Sequence, residues 1–221
     1  MNVRQQLDGA RLYVVLDREV NPPRRLMEII NECIAGGADI IQYRDKKSSA
    51  LETLSFCQAA LNLTRGRIPF IVNDRLDIAL ACQADGIHVG QEDLPLDAVR
   101  GITGKDMVIG VSCQTVDQAC VAQQCGADYI GFGSVYKTLT KPQRSGMDLN
   151  IWSQISQTIA IPVFAIGGIA FDDLKELMAL GVRRVAVTRA VCLAQDVAAA
   201  CRRFKQLLSA VDQGKADVRD R

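Results

Sequence analysis

A single α/β domain, an eight-stranded parallel (β/α)8 or TIM barrel, is what this sequence predicts, on three observations. Short β-branched runs alternate along the chain with longer segments of helical periodicity. Most of these runs are continuously apolar, as expected for parallel strands covered on both faces. A lead-in motif also recurs before every second run: Gly37-Ala38-Asp39-Ile40, Ala84-Asp85-Gly86-Ile87, Gly126-Ala127-Asp128-Tyr129 and a weaker Gly181-Val182-Arg183-Arg184. Eight strands joined by right-handed helical crossovers close naturally into a barrel. The alternative, an open doubly wound sheet, usually carries a glycine-rich turn after its first strand. Here Leu16 is followed by Asp-Arg-Glu-Val-Asn-Pro-Pro, with no glycine.

The elements follow in order. Strand one is predicted over 12–16, and a helix over 24–35 carries Leu26, Ile29, Ile30, Cys33 and Ile34 on one side. Gly37 ends that helix, and strand two covers 39–43. After a helix over 51–63, Pro69 leads into strand three at 70–72. A short helix over 73–80, strand four at 86–89, a weak helix at 97–102 and strand five at 107–111 come next. A helix over 115–125 precedes strand six at 129–132, and Pro162 leads into strand seven at 163–166. The pattern closes with a helix at 172–180, strand eight at 184–188 and a helix at 194–208. The barrel is thus expected over 1–211, with a polar tail at 212–221 that frays.

Composition narrows the function. The chain has 221 residues, 48% of them apolar and 23% charged, and a formal net charge of +1. Neutrality removes any global reason to bind nucleic acid or an anionic membrane. No apolar run approaches the roughly 20 residues that span a bilayer, and residues 1–11 are polar, without a signal-peptide core. The protein is therefore expected in the cytoplasm. Its eight cysteines include no C-x-x-C pair and read as reduced core thiols.

In such barrels the site lies at the C-terminal ends of the strands. Polar residues gather there. Arg44, Lys46 and Lys141 are cations without helical acid partners, and with Asn73 and Ser112 they suit a polyanion such as pyrophosphate. Asp74 and Asp93 end adjacent strands, and magnesium is typically held by one or two carboxylates completed by phosphate oxygens and water. Helix capping is the plainer role for both acids. Gly167-Gly168 after strand seven, with Thr188 and Arg189 after strand eight, matches the phosphate cradle of this fold. His88, the one histidine, reads first as a packed core residue. The rim thus presents a polyanion pocket and a monophosphate pocket, without a nucleophile signature.

These residues resemble the thiamine phosphate synthase family over about residues 12–191. The motifs are Gln42-Tyr43-Arg44-Asp45-Lys46, Val72-Asn73-Asp74-Arg75-Leu76-Asp77, Asp85-Gly86-Ile87-His88-Val89-Gly90-Gln91-Glu92-Asp93, Gly110-Val111-Ser112, Thr138-Leu139-Thr140-Lys141 and Ala165-Ile166-Gly167-Gly168-Ile169. The resemblance implies a transferase that joins hydroxymethylpyrimidine diphosphate to a thiazole phosphate, releasing pyrophosphate through a carbocation. It implies that Gln42, Arg44, Lys46, Asn73, Ser112 and Lys141, with Tyr43 and Asp45 of the same motif, bind the pyrimidine diphosphate. Of these, Arg44, Lys46, Ser112 and Lys141 would act on the leaving group. Asp74 and Asp93 would bind Mg2+, Thr138, Leu139 and Thr140 would line the thiazole side, and Gly168, Thr188 and Arg189 would take its phosphate. The implied partners are small phosphorylated substrates, and a homo-oligomer is compatible with them.

The sequence departs from the family pattern in three places. Cys113-Gln114 stands where a Thr-His pair is common, Lys137-Thr138-Leu139-Thr140-Lys141 lacks two usual prolines, and Arg189 replaces a frequent serine. The alternatives are a thiazole tautomerase-like isomerase, a non-catalytic barrel that binds thiamine precursors, and an isomerase of tryptophan biosynthesis. The first needs a histidine after strand five, and the last needs an acid–base pair that this rim lacks.

Overall fold

The computed structural model describes residues 2–137 and 146–216, with side chains described through Ser209. Eight strands form a closed parallel barrel in sequence order, β1 (Leu12–Asp17), β2 (Ile40–Arg44), β3 (Phe70–Asn73), β4 (Gly86–Val89), β5 (Val108–Cys113), β6 (Tyr129–Phe132), β7 (Val163–Ile166) and β8 (Val185–Val187). β8 pairs back onto β1 through Leu12–Val185, Tyr13–Ala186 and Val14–Val187. Between and around them run α1 (Val3–Gly9), α2 (Pro23–Ala35), α3 (Ala50–Thr64), α4 (Leu76–Cys82), α5 (Leu96–Thr103), α6 (Val116–Gln124), α7 (Ile151–Thr158), α8 (Leu174–Ala179), α9 (Arg189–Cys192) and α10 (Val197–Ala216). α10 continues past residue 211, so the expected tail begins as helix.

The lead-in repeat has a local cause. Asp39 Oδ2 accepts the N–H groups of Arg11 and Leu12 at 2.8 and 2.9 Å, Asp85 Oδ2 that of Phe70 at 2.8 Å, and Asp128 Oδ2 that of Ile109 at 2.8 Å. Each carboxylate ties the start of its own strand to the start of the preceding one. Gly37 and Gly126, at φ 82° and 87°, supply the left-handed turn that releases the chain from the preceding helix. In the Ala84-Asp85 copy, which has no leading glycine, Gln83 takes that conformation, at φ 57°.

Successive side chains of a strand point to opposite faces. The outward set (Leu12, Val14 and Leu16 of β1, Ile41 and Tyr43 of β2) packs beneath the helices in the larger core. The inward set (Tyr13, Val15, Ile40, Ile71, Val108, Tyr129, Phe164, Ala186) fills the barrel floor. Three helices were not legible in the sequence. α1, held by an Asn2–Gln5 capping box, adds Leu7 to the inner cluster and so covers the N-terminal mouth. α7 buries only Trp152 and Ile155, too short a stripe to announce itself, and α9 is a single turn. The cysteines are free thiols as expected, and six are buried, but Cys120 is half-buried and Cys125 is exposed because it caps α6 at the surface. Among the described residues no helix is long and apolar enough to cross a membrane.

Candidate active site

One cavity of about 730 Å³ opens at the C-terminal ends of the strands. It is lined by Gln42, Arg44, Lys46, Asn73, Asp74, Asp93, Ser112, Gly168, Thr188 and Arg189, all singled out from the sequence. Thr138, Leu139, Thr140 and Lys141 lie outside the described residues.

Tyr43 and Asp45 do not line the cavity, contrary to the sequence expectation. Strand parity is the reason. Gln42 and Arg44 face inward, so Tyr43 between them faces the helices and stacks on Phe56 at a centroid distance of 4.1 Å. Asp45 accepts the Tyr43 hydroxyl at 2.7 Å and the N–H groups of Lys47 and Ser48, both at 3.0 Å. Partial burial raises its carboxyl pKa, but the backbone donors outweigh that and bring it down to about 2. The pair shapes the turn that carries Lys46. Asp45→Asn is expected to lower the melting temperature at pH 7. The folded pKa lies below the unfolded value of about 3.9, so the carboxylate's contribution is present above pH 4 and lost towards pH 2. Melting curves of both proteins should converge over that window; a gap constant from pH 7 to pH 2 would refute the assignment.

The cations are also not bare. Arg44 Nη1 lies 2.7 Å from Asp17 Oδ2, and Lys46 Nζ lies 2.6 Å from Asp74 Oδ2. Asp17 is a site residue that motif reasoning missed. It ends β1 facing the cavity, yet only 1% of its surface is exposed. Its signal was parity: Tyr13 and Val15 point inward, so Asp17 does too. Lys137 and Gln114 also line the cavity, as does His88, whose two ring nitrogens are hydrogen-bonded as a packed core histidine's should be.

Neither acid caps a helix. The N-cap positions of α4 and α5 are Arg75 and Pro95, and neither helix has a side-chain cap. Asp93 Oδ2 instead accepts the Gly90 N–H at 2.7 Å. Burial, and then the neighbouring Asp74 carboxylate, push the Asp93 carboxyl above the usual carboxylate range. Asp74 sits at φ 61°, a conformation costly for a residue with a side chain, and its N–H is fixed to the His88 carbonyl at 2.8 Å. Two crowded carboxylates facing this cavity are a donor set that a hard divalent cation fits. Among the described residues no group of three ligating side chains is present, and a cation held by this pair would need further ligands from substrate and water.

Across the rim, Gly167 and Gly168 hold φ 113° and 63°. A Cβ on Gly168 would meet the Lys137 carbonyl oxygen at 2.7 Å. The turn therefore requires glycine and brings backbone to the cavity surface beside Thr188 and Arg189.

The sequence and the fold were compared with those of known proteins. A family model described as thiamine monophosphate synthase matches residues 12–191. The thiamine-phosphate synthase of Methanospirillum hungatei is 43% identical over 199 residues, which cover 89% of this chain and 97% of that one. That of Halalkalibacterium halodurans is 39% identical over 200 residues, covering 90% and 95%. The solved thiamine phosphate pyrophosphorylase from Pyrococcus furiosus superimposes with a TM-score of 0.84 at 36% identity, covering 95% of this chain and 99% of that one. A 3-hexulose-6-phosphate synthase matches with a TM-score of 0.65 at 17% identity, a likeness of fold alone.

Proposed function

The chain belongs to the thiamine monophosphate synthase family and is a transferase that joins hydroxymethylpyrimidine diphosphate to a thiazole phosphate, and from that premise we propose that the two sides of its rim divide the work. Arg44, Lys46, Asn73 and Ser112 hold the pyrimidine diphosphate, with Gln42 beneath it and Lys141 added on motif alone. Gly168, Thr188 and Arg189 hold the thiazole phosphate, and Thr138, Leu139 and Thr140 are assigned to the thiazole ring by motif. The single observation that carries this reading is that one cavity joins the paired cations and acids of β1 to β4 to the double-glycine turn after β7.

In the reaction, the bond between the pyrimidine methylene carbon and the diphosphate oxygen breaks, and pyrophosphate leaves with the electron pair. The thiazole nitrogen then donates its lone pair to the resulting carbocation. That nitrogen carries no proton, so the site needs no general base. Arg44 and Lys46 stabilise the charge developing on the leaving oxygens, and the walls hold the thiazole close and keep water out. Asp74 and Asp93 would hold Mg2+, which when bound supplies further charge neutralisation on the diphosphate.

The tautomerase reading lacks its base. Gln114 faces the cavity after β5, and the one histidine lies on β4 with both ring nitrogens engaged. The test is pyrophosphate release from the purified protein given both substrates, with Mg2+ and then with EDTA. Release that requires both substrates and the metal, with thiamine phosphate as product, is expected; no release from folded protein would overturn the reading.

Gly168→Val tests the thiazole side. A β-branched residue at φ 63°, pressed against the Lys137 carbonyl, displaces the turn. The KM for thiazole phosphate is expected to rise at least about tenfold, a loss of ~1.4 kcal/mol, while the KM for the pyrimidine diphosphate stays within about twofold. An unchanged thiazole KM would place its phosphate elsewhere.

A further inference from the structure

Below the cavity a chain of side-chain hydrogen bonds crosses the barrel interior. Gln42 Nε2 lies 2.7 Å from the Tyr13 hydroxyl, which lies 2.8 Å from the Tyr129 hydroxyl. The Tyr129 hydroxyl lies 3.0 Å from His88 Nδ1, and His88 Nε2 lies 2.9 Å from Ser112 Oγ. Gln42, Tyr13, Tyr129 and His88 are all buried, and only Ser112 at the far end is half-exposed beneath the cavity.

The bond directions follow from the chemistry of the groups. An amide nitrogen only donates, so the Tyr13 oxygen accepts from Gln42. Tyr13 then donates its own O–H to the Tyr129 oxygen, and Tyr129 donates its O–H to His88 Nδ1. A neutral imidazole has one donor and one acceptor nitrogen, so with Nδ1 accepting, Nε2 carries the proton and donates to Ser112 Oγ. The opposite order would aim a buried Tyr13 proton at an N–H group. Burial pushes both phenol pKa values well above their usual range, which keeps the links protonated. Hydrogen bonds in series polarise one another in a low-dielectric interior.

We propose that this chain makes His88 a positioning residue, fixed as the Nε2–H tautomer, which leaves the Ser112 hydroxyl with one outlet, donation to an acceptor oxygen of the bound diphosphate. A diphosphate presents acceptors and hardly any donors, so a hydroxyl already committed to donate suits it, whereas a freely rotating one must first be ordered. The inference rests on reading Ser112 as a ligand of the pyrimidine diphosphate. The fold invests in the chain: Gly110 leaves room for the Tyr129 ring, with which its Cβ would collide, and Tyr13, Tyr129 and Phe164 pack edge to face or tilted at 5.3 to 5.8 Å.

Because His88 is the one histidine, its ring nitrogens can be read directly in a 15N-labelled sample by long-range proton–nitrogen correlation. In the wild type Nε2 should give a protonated signature and Nδ1 a bare one. Tyr129→Phe keeps the ring and removes the link. It should shift the His88 nitrogen signals and raise the KM for the pyrimidine diphosphate about tenfold, with the thiazole phosphate KM unchanged. Ser112→Ala should raise the same KM, and the double variant should be no worse than Ser112→Ala, since Tyr129 acts only through Ser112. A protonated Nδ1 in the wild type overturns the proposal, and that measurement needs no variant to fold. If Ser112→Ala raises the KM but Tyr129→Phe does not, or if the two effects add, the relay is refuted and the ligand reading of Ser112 stands. If Ser112→Ala leaves that KM unchanged, the ligand reading falls and takes the relay's function with it, while the spectrum still reports the tautomer.

Discussion

Asp17→Ala is expected to destabilise the protein by about 3 kcal/mol, the lower end of the cost of stripping one partner from a buried ion pair. Asp17 is 1% exposed, and its Oδ2 lies 2.7 Å from Arg44 Nη1. Its other oxygen accepts the Glu19 N–H at 2.9 Å, so the carboxylate also anchors the loop that leaves β1. With alanine there, the Arg44 guanidinium, itself mostly buried, keeps its charge and loses its partner. For a chain of this size the melting temperature should fall by roughly 10 °C. Turnover should fall with it, because Arg44 no longer points reliably at the diphosphate. Arg44→Met added to Asp17→Ala removes the orphaned charge, so stability should recover in part while activity stays lost. An unchanged melting temperature in the single variant would show that the pair adds nothing to stability.

Asp93→Asn is expected to cut turnover by about a hundredfold, ~2.7 kcal/mol on the barrier, with the affinity for thiazole phosphate within about twofold of the wild type. Asparagine keeps the shape and retains an oxygen for the Gly90 N–H, which Asp93 Oδ2 accepts at 2.7 Å. What it removes is one of two negative charges in the crowded Asp74–Asp93 pair. Half-saturation by Mg2+ should therefore move to higher concentration. Steady-state pyrophosphate release across a magnesium series, with calorimetric titration of thiazole phosphate, separates the effects. Equal losses of turnover and thiazole phosphate binding would point to a collapsed rim and against a metal role.

Much of this was legible in the residues. Continuous apolar runs mark strands covered on both faces, and the fold then places every strand's C-terminal end on one rim. Ten of the residues singled out do line one cavity. The errors share a physical source. Tyr43 and Asp45 stand inside a motif yet do not line the cavity, because a strand's side chains alternate in direction and a motif does not. Asp17 belongs to no motif; its inward direction follows from the alternation along β1, and its pairing with Arg44 from the register of β1 against β2.

By itself, the sequence determined the barrel, the order of its strands, the rim on which chemistry gathers and the family to which that rim belongs. These depend on local patterns: apolar runs, glycine-terminated helices and short motifs at strand ends. The tertiary structure alone decided which charges are paired and which polar groups are linked. Arg44 meets an acid 27 residues before it, and His88 meets a hydroxyl 41 residues beyond it and another 24 residues beyond it. Contacts of that span arise only when the strands pair: Arg44 meets Asp17 through the register of β1 and β2, and His88 reaches Ser112 and Tyr129 across β5 and β6. Closure brings the inward side chains of distant strands within hydrogen-bonding distance in an interior without bulk water, where each polar atom must find its partner in the protein.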